Sequence, residues 1–433
     1  MSAQNGDMPP VALSDPNFTL VDLFGRGLPD VLQTSAFGYY YWKNTGNGTF
    51  SGRRELKNMP TNVRLEQPGV GFGDLAGDGQ ADLLVHQGIN WGFFEANGKG
   101  GWKNFKSYRN QPSFQLSDPN VRMLDMTGDG KSDVLRTDER SFVWFPADGE
   151  KGFSAPKHIR RKNDLTQFPN VNFSDPRVKL ADMTGDSLND IVLVHSGRID
   201  YWANMGNGHF SQRITMEMPP RFGADFDPSR LYLVDIDGSG TADLLYIESG
   251  KLRFWFNQSG NCFGKEQLIN GTPSFTNQDA VQVTDLLGCG CNGVLWTTNY
   301  RGANRPHYMF LDFSGGLKPN LLFEMDNNMG STTKAQYKPS TSFYLKDEKN
   351  NHKRNWVTTL PFPVQVLEKV EKIDHISRTK LVTNYRYHHG YYDGKEREFR
   401  GFAYVEQQDT ERFDTFGQEG LHHGEEIRNS SKE

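Results

Sequence analysis

An acidic loop at residues 125–133, DMTGDGKSD, holds the residue types that bind a hard cation. Its positions 1, 3, 5 and 9 are Asp125, Thr127, Asp129 and Asp133. With a backbone carbonyl at position 7, this spacing matches the first part of an EF-hand calcium loop. Three carboxylates this close repel one another unless a cation or several backbone N–H groups compensate. The loop is therefore either a calcium site or a turn closed by its own N–H groups.

Related loops keep only part of this ligand pattern. Candidate calcium ligands recur as Asp182, Thr184, Asp186 and Asp190, and as Asp235, Asp237 and Asp243. Elsewhere Ala76 stands at position 3, and Phe24 and Arg26 stand at positions 3 and 5. A glutamate at position 12, which completes an EF-hand loop, is missing from every copy. A structural turn explains all copies, whereas Ca²⁺ binding explains some of them, and both interpretations stay open. A catalytic acid/base pair is disfavoured because the clusters recur along the chain instead of marking one place.

The loop belongs to a repeat of about fifty residues. The copies are DLFGRGLPDVL, DLAGDGQADLL, DMTGDGKSDVL, DMTGDSLNDIV, DIDGSGTADLL and the decayed DLLGCGCNGVL. Their first aspartates lie 52, 51, 57, 53 and 50 residues apart. Each copy continues with an apolar run, a small turn, an aromatic-rich run and a glycine turn. This pattern predicts four-stranded blades, in which the first Asp ends one strand and the last Asp opens the next.

The predicted fold class is all-β. Residues 11–318 are predicted to form a six-bladed β-propeller that resembles FG-GAP/VCBS (integrin-α-like) propellers. Alternating apolar and polar residues in 319–416 predict long antiparallel strands, with a solvated charged loop at 346–355. Residues 1–10 and 417–433 are expected to be a flexible N-terminus and a disordered tail.

Composition excludes several classes of partner. The 433 residues carry a formal charge of -5 without a dense Lys/Arg block, which argues against nucleic acid. No run approaches the ~20 apolar residues of a membrane span, and the N-terminus lacks the pattern of a signal peptide. The three cysteines, Cys262, Cys289 and Cys291, are too few for a disulfide framework, and they are expected to be free thiols.

Three C-terminal phrases carry a family resemblance. TLPFPVQVLEKVE, SRTKLVTNYRYHHGYYDG and EREFRGFAYVEQQDTE, together with the propeller copies, resemble the middle region of the B component of Tc insecticidal toxin complexes. That family also contains the SpvB-type virulence proteins. The resemblance covers about residues 11–415. It implies that the region after the propeller contributes the first strands of an RHS-type shell.

The resemblance implies a non-enzymatic virulence function. In this family the B and C components form a hollow shell around a toxin polypeptide, and the propeller docks on the A-component channel and gates the passage of the toxin. The expected partners are therefore the A-component channel and the C-component toxin polypeptide. The expected location is extracellular within the complex, and cytoplasmic before release. The family's N-terminal domain and its RHS repeats are not in this sequence, which predicts a fragment, the middle piece of a split gene or a free-standing adaptor.

Two further functions are compatible with parts of the sequence. A calcium-dependent adhesin or lectin-like propeller, binding a host protein or glycan, is the alternative function. ADP-ribosyltransferases related to SpvB use a Ser-Thr-Ser strand and a Glu-x-Glu turn, for which residues 340–342, Glu396 and Glu398 are the only matches. These residues lie in phrases that resemble the shell, so we predict an exposed hairpin in which Arg397 and Arg400 pair with the acids.

Overall fold

In a computed structural model the repeats form six antiparallel sheets of four strands each, followed by a sheet of five. The structure describes residues 2–3, 9, 12–57, 59–139, 141–160, 168–298, 307–350 and 355–409. The tail predicted for 417–433 lies outside these residues, as does most of 1–10. The all-β prediction is confirmed, and within the described residues one α-helix departs from it.

Each blade is a meander of consecutive strands. Blade one contains β2 (Phe18–Val21), β3 (Asp30–Thr34), β4 (Tyr39–Trp42) and β5 (Arg54–Glu55). Blade two contains β6 (Val70–Gly73), β7 (Asp82–Gln87), β8 (Asn90–Ala96) and β9 (Trp102–Ser107). Blade three contains β10 (Val121–Leu124), β11 (Asp133–Asp138), β12 (Ser141–Phe145) and β13 (Lys157–Arg160).

The next blades repeat the pattern. Blade four contains β14 (Val178–Ala181), β15 (Asp190–His195), β16 (Arg198–Trp202) and β17 (Ile214–Thr215). Blade five contains β18 (Leu231–Val234), β19 (Asp243–Glu248), β20 (Lys251–Trp255) and β23 (Gln267–Asn270), with a small ribbon of β21 (Asn257–Gln258) and β22 (Cys262–Phe263). Blade six contains β24 (Ala280–Thr284), β25 (Gly293–Thr298) and β26 (His307–Leu311).

The N-terminus supplies the fourth strand of blade six. Strand β1 (Ser2–Ala3) pairs with β26, so that Ser2 lies opposite Phe310 and Ala3 opposite Met309. This differs from the flexible N-terminus predicted for residues 1–10. The physical reason is that blade six would otherwise leave a sheet edge open, and pairing the first strand of the chain with the last strand of the propeller covers that edge.

Apolar clusters join each blade to the next. At the seam, Phe18 and Trp42 of blade one pack with Leu295 and Phe310 of blade six. Five comparable clusters occupy the other interfaces between neighbouring blades. Burying one large apolar side chain contributes about 2 kcal/mol. Apolar contacts between neighbouring blades are therefore the main interactions that hold the ring together.

The C-terminal region forms a five-stranded antiparallel sheet in sequence order. Its strands are β27 (Glu324–Asp326), β28 (Ser331–Pro339), β29 (Gln365–Asp374), β30 (Thr379–Asp393) and β31 (Glu398–Gln408). The long antiparallel strands predicted for this region are present. The tight connection between β30 and β31 lies in YYDGKERE, as the sequence indicated.

A helix lies between β28 and β29 in the chain, and its presence corrects one prediction. Helix α1 (Ser340–Lys349) follows β28, where strands and a solvated charged loop at 346–355 were expected. Pro339 ends the strand in an extended conformation, and Ser340, Thr341 and Phe343 are buried after it. Tertiary packing, not intrinsic helix propensity, therefore forms the helix, because Ser and Thr are weak helix formers.

Candidate functional site

The six acidic turns all lie at one end of the propeller. They are numbered with their blades as residues 22–30, 74–82, 125–133, 182–190, 235–243 and 285–293. Since each turn joins the first strand of its blade to the second, the antiparallel meander places all six at the same end. We call this end the turn face. The opposite end, the loop face, carries the tips between second and third strands and the connections between blades.

The first aspartate of turn three organises the turn. Asp125 Oδ1 accepts hydrogen bonds from the backbone N–H groups of Thr127, Gly128 and Asp129, at 3.0, 2.7 and 3.2 Å. Its Oδ2 accepts one from Gly130 N at 2.6 Å. One carboxylate thus satisfies four consecutive N–H donors, which is how a short acidic side chain stabilises a tight turn.

The last aspartate of turn three ties the turn to the third strand of its blade. Asp133 is 1% exposed, and its Oδ2 accepts from Met126 N at 3.1 Å. Its Oδ1 accepts from Ala147 N, just beyond β12, at 2.7 Å. Burial raises the pKa of Asp133 to about 6. Equivalent pairs of bonds are made by Asp30, Asp82, Asp190 and Asp243.

The middle acid of turn three already has a cation. Asp129 Oδ2 lies 2.7 Å from Lys131 Nζ, and Asp129 Oδ1 accepts from Lys131 N at 3.1 Å. Burial acts to raise the pKa of Asp129, but the hydrogen bonds from Lys131 outweigh it and hold the pKa below its usual range. Thr127 Oγ1 donates to Asp125 at 3.3 Å. The predicted carboxylate ligands of turn three therefore already have hydrogen-bond partners within their own blade.

Turn four has the same frame in a more open setting. Asp182 accepts from the backbone N–H groups of Thr184, Gly185 and Ser187 at 3.1, 2.6 and 2.7 Å. Asp186 accepts from Leu188 N at 2.9 Å. Thr184 to Ser187 are exposed here, whereas the corresponding residues of turns one and three are buried or half-buried.

Turn five brings three carboxylates together. Oxygen atoms of Asp235, Asp237 and Asp243 all lie within 4.8 Å of one another, and within the described residues this is the one acidic, His or Cys group with such spacing. Turns three and four, both fully described, form no comparable group of three. Burial raises the pKa of Asp235, and hydrogen bonds from the Gly240 and Gly238 N–H groups, with the nearby Lys318 ammonium, offset only part of that rise.

Turn one carries its cation inside the protein. The guanidinium of Arg26, at position 5, forms an ion pair with Asp30, and both side chains are fully buried. Burial raises the pKa of Asp30 to about 7, and the charge of Arg26 opposes that rise. Sequence reasoning counted Arg26 as a departure from a calcium loop. The signal it missed is that a basic side chain at this position can neutralise the last Asp of its own turn.

The C-terminal region sits on the turn face and bonds to backbone carbonyls of the turns. Gln365 Nε2 donates to Cys289 O of turn six at 2.7 Å. Asn320 Nδ2 donates to Asp237 O of turn five at 3.1 Å. Thr359 Oγ1 donates to Phe24 O of turn one at 3.4 Å.

Close packing accompanies these hydrogen bonds. A Cβ added to Gly79 of turn two would lie 2.6 Å from Pro361 Cγ, and one added to Gly130 of turn three would lie 2.7 Å from Arg397 Nε. The turns therefore serve as a platform for the C-terminal region. Arg397 lies against turn three, which corrects the expected pairing with the neighbouring acids.

The residues that suggested an ADP-ribosyltransferase have other surroundings. Ser340 to Ser342 begin helix α1 and do not lie in a strand. Glu398 pairs with Arg400 at 2.7 Å, as predicted. Glu396 lies in the connection between β30 and β31, where its N–H donates to Asp393 at 3.2 Å.

Comparisons with protein families match two parts of the chain, one that contains the last blade and the C-terminal region and one that begins in the fourth blade. Residues 256–421 match the family model described as the insecticide toxin TcdB middle/N-terminal region. Residues 182–246 match the FG-GAP-like repeat. No curated protein matches the sequence. Within the described residues, no helix has the length and apolar character needed to cross a membrane.

Solved Tc toxins share the fold. The Photorhabdus luminescens Tc holotoxin pore with a mutated TccC3 is 30% identical with a TM-score of 0.81, over 93% of this chain and 19% of that chain. The TcdB2-TccC3-Cdc42 structure is 28% identical with a TM-score of 0.64, over 92% and 19%. The TcdB2-TccC3 structure is 26% identical with a TM-score of 0.61, over 93% and 20%. The chain thus spans about a fifth of the length of these relatives. With its propeller and adjoining antiparallel sheet, the chain matches the TcB-type middle region of Tc insecticidal toxin complexes.

Proposed function

We propose that this chain is a non-enzymatic subunit of a Tc-type toxin complex, whose propeller docks on the A-component channel through the loop face. Similarity to the TcB subunit of solved Tc toxins supports a toxin complex component. Docking, gating of an encapsulated toxin from the C component and release outside the cell are the further steps of this proposal.

The observation that carries the proposal is which end of the propeller is covered. The C-terminal region bonds to the turn face through Gln365, Asn320 and Thr359. A shell built onward from this sheet would therefore lie at the turn face. The loop face is then the end available to a channel, and a chain leaving the shell would pass through the propeller toward that end.

The loop face offers apolar anchors. Phe37, at the tip between β3 and β4, is 91% exposed, and Ile89, at the tip between β7 and β8, is 98% exposed. Single exposed apolar residues are common on protein surfaces. Two of them at matching tips of neighbouring blades form a surface suited to a protein partner, because central apolar anchors contribute most of the affinity of an interface.

Hydrogen bonds between neighbouring blades near the propeller axis support a closed passage. The first strands of blades four and five, β14 and β18, contact each other, which places the first strands nearest the propeller axis. Arg122 Nη2 donates to Phe173 O at 2.6 Å, and Lys179 Nζ donates to Pro228 O at 2.8 Å. Each bond runs from a first strand to the segment that enters the next blade. Opening the passage would require these bonds between blades to break.

The alternative function is a calcium-dependent adhesin or lectin-like propeller. The carboxylate group of turn five is the one observation that favours it. The sheet that covers the turn face favours the toxin function, because an adhesin has no need of shell strands.

Binding of the full chain to the A-component pentamer tests the docking face. We expect Ile89→Asp and Phe37→Asp each to weaken binding at least tenfold, because a charged side chain cannot replace an apolar anchor in a desolvated interface. Met205→Asp is the matched control, since Met205 is 66% exposed in the glycine turn after β16, at the turn face. Weakening by Met205→Asp alone would reverse the assignment of the faces. Unchanged binding in all three variants would refute docking through these tips.

A further inference from the structure

A buried histidine lies between two carboxylates where helix α1 meets the C-terminal sheet. His388, on β30, has a side chain that is 3% exposed. Its Nδ1 lies 2.6 Å from Asp347 Oδ2, on α1, and its Nε2 lies 3.5 Å from Glu406 Oε1, on β31. A solvent-open cleft of about 330 Å³ borders this group. One imidazole ring therefore links the helix to two strands.

The two ring nitrogens differ in their hydrogen bonding. Nδ1 is within hydrogen-bond distance of Asp347, whereas Nε2 makes no hydrogen bond within the described part of the chain. A neutral imidazole has one N–H donor, and an imidazolium has two. With a neutral ring donating to Asp347, a lone pair on Nε2 faces the carboxylate of Glu406. A proton on Nε2 replaces that repulsion with a charge-assisted hydrogen bond.

Other charged and titratable groups surround the ring. Besides the two carboxylates, these are Lys346 on α1, Arg386 and His389 on β30 and Tyr404 on β31. Arg386 Nη1 lies 4.0 Å from Glu406 Oε2 and offsets part of the negative charge. His389 is occupied, because its Nδ1 accepts from Val357 N at 3.0 Å. The ring therefore lies between two carboxylates, with Arg386 and Lys346 as further charged groups around it.

Helix α1 connects this site to the propeller. Glu348, the residue after Asp347, forms an ion pair with Lys43 of blade one. At the start of the helix, Thr341 Oγ1 donates to Gly288 O of turn six. Trp356 Nε1 also donates to Asp347 Oδ2, at 2.8 Å. Consecutive acids of one helix thus bind the propeller and the sheet, so a change at His388 alters how firmly α1 holds the two together.

We propose that His388 is a proton-operated clasp, which tightens the contact between α1 and the C-terminal sheet when the medium becomes acidic. Histidine is the side chain whose ordinary charge change falls near neutral pH. Protonation gives Asp347 and Glu406 one donor each, and deprotonation removes the donor to Glu406. This property concerns the junction within the chain and does not depend on docking to a channel.

Hydrogen–deuterium exchange of the full chain tests the clasp. The readout is the protection of residues 340–349 at pH 5.5 and pH 8, corrected for intrinsic exchange. We expect the wild type to lose protection about tenfold between these values, since one charge-assisted hydrogen bond contributes on the order of 1.4 kcal/mol. We expect His388→Gln to show low protection at both values. His158→Gln, at an exposed strand position in blade three, is the matched control and should behave as the wild type.

A second variant keeps the test decisive if His388→Gln fails to fold. Glu406→Gln places an amide donor opposite Nε2, so a neutral His388 is satisfied on both sides. We expect its protection at pH 8 to equal that at pH 5.5. Equal protection of the wild type at both values would overturn the clasp, and so would a full pH dependence retained in Glu406→Gln.

Discussion

The guanidinium of Arg26 pairs with the carboxylate of Asp30 in the interior of the first acidic turn, and neither side chain is exposed to solvent. The same guanidinium leaves Nε and Nη1 without a hydrogen-bond partner in the described part of the chain. A calcium loop would place a metal ion among its carboxylates. In this turn the chain itself supplies the positive charge.

Removing this cation should destabilise the propeller. We expect Arg26→Met to lower the free energy of unfolding by about 3–5 kcal/mol, because it leaves the buried Asp30 without its cationic partner. Denaturant unfolding measures the change. Arg64→Met, which breaks a solvent-exposed pair with Glu66, is the control and should cost less than about 1 kcal/mol. The double variant Arg26→Met with Asp30→Asn should recover most of the loss. No recovery would show that the arginine acts through packing and not through charge.

The buried last aspartates should make the propeller more stable in mild acid. Burial raises the pKa of Asp82, Asp190 and Asp243 to about 7. A raised pKa in the folded state means that the folded chain binds the proton more tightly than the unfolded chain does. The stabilisation from this proton binding is therefore complete below about pH 4, the pKa of Asp in the unfolded chain. It falls as the pH rises toward 7 and then levels off. Unfolding in denaturant at pH 5 and pH 8 measures this, with higher stability expected at pH 5. Asp190→Asn should reduce the difference, and a stability that rises with pH across this window would contradict the prediction.

Two glycine variants separate the effect on stability of packing by the C-terminal region from the effect of backbone strain in the turns. Gly79 and Gly240 occupy the same position in turns two and five, with φ of 81° and 93°. An added Cβ at Gly79 meets Pro361, whereas at Gly240 it meets nothing within 4 Å. We expect Gly240→Ala to cost about 1 kcal/mol from the positive φ alone. Gly79→Ala should cost about 1–3 kcal/mol more, from overpacking against a rigid ring. Equal losses in the two variants would mean that Pro361 does not hold the turn.

Calcium should have little effect on the stability of the turns. The carboxylates of Asp125 and Asp182 already accept the N–H groups of their own turns. We therefore expect the thermal midpoint to be the same in excess chelator and in millimolar Ca²⁺. A midpoint raised by Ca²⁺ would instead establish a site. Loss of that rise in Asp237→Asn, with its retention in Asp129→Asn, would locate the site in turn five and support the adhesin alternative.

The parts of the fold that the sequence predicted are those that depend on local chemistry. The last Asp of each of the first five turns opens a strand, as at Asp133 and Asp190, because a buried carboxylate there satisfies backbone donors on both sides. The period of about fifty residues then yields the blades. This logic acts within one repeat, so one sequence suffices to reveal it.

The parts that escaped prediction depend on distant contacts. Helix α1 starts with Ser340 and Thr341, which carry no helical signal and are buried by the propeller and the sheet. Strand β1 is two residues long, and its partner lies some three hundred residues away. The candidate ligands of turns three and four accept hydrogen bonds from the backbone of their own turns, and such donors cannot be read from side-chain types.

The seam formed by β1 and β26 also sets an order of events during synthesis. Residues 2–3 leave the ribosome before any of the blades, yet their partners at 307–311 are made last among the blades. At ~5–20 residues per second, the interval is about 15–60 s. During that time blades one to five can fold in turn, while β1 remains unpaired until β26 is made. Premature pairing of β1 with another chain would join two unfinished rings, so closure of the seam is the step most sensitive to the concentration of nascent chains.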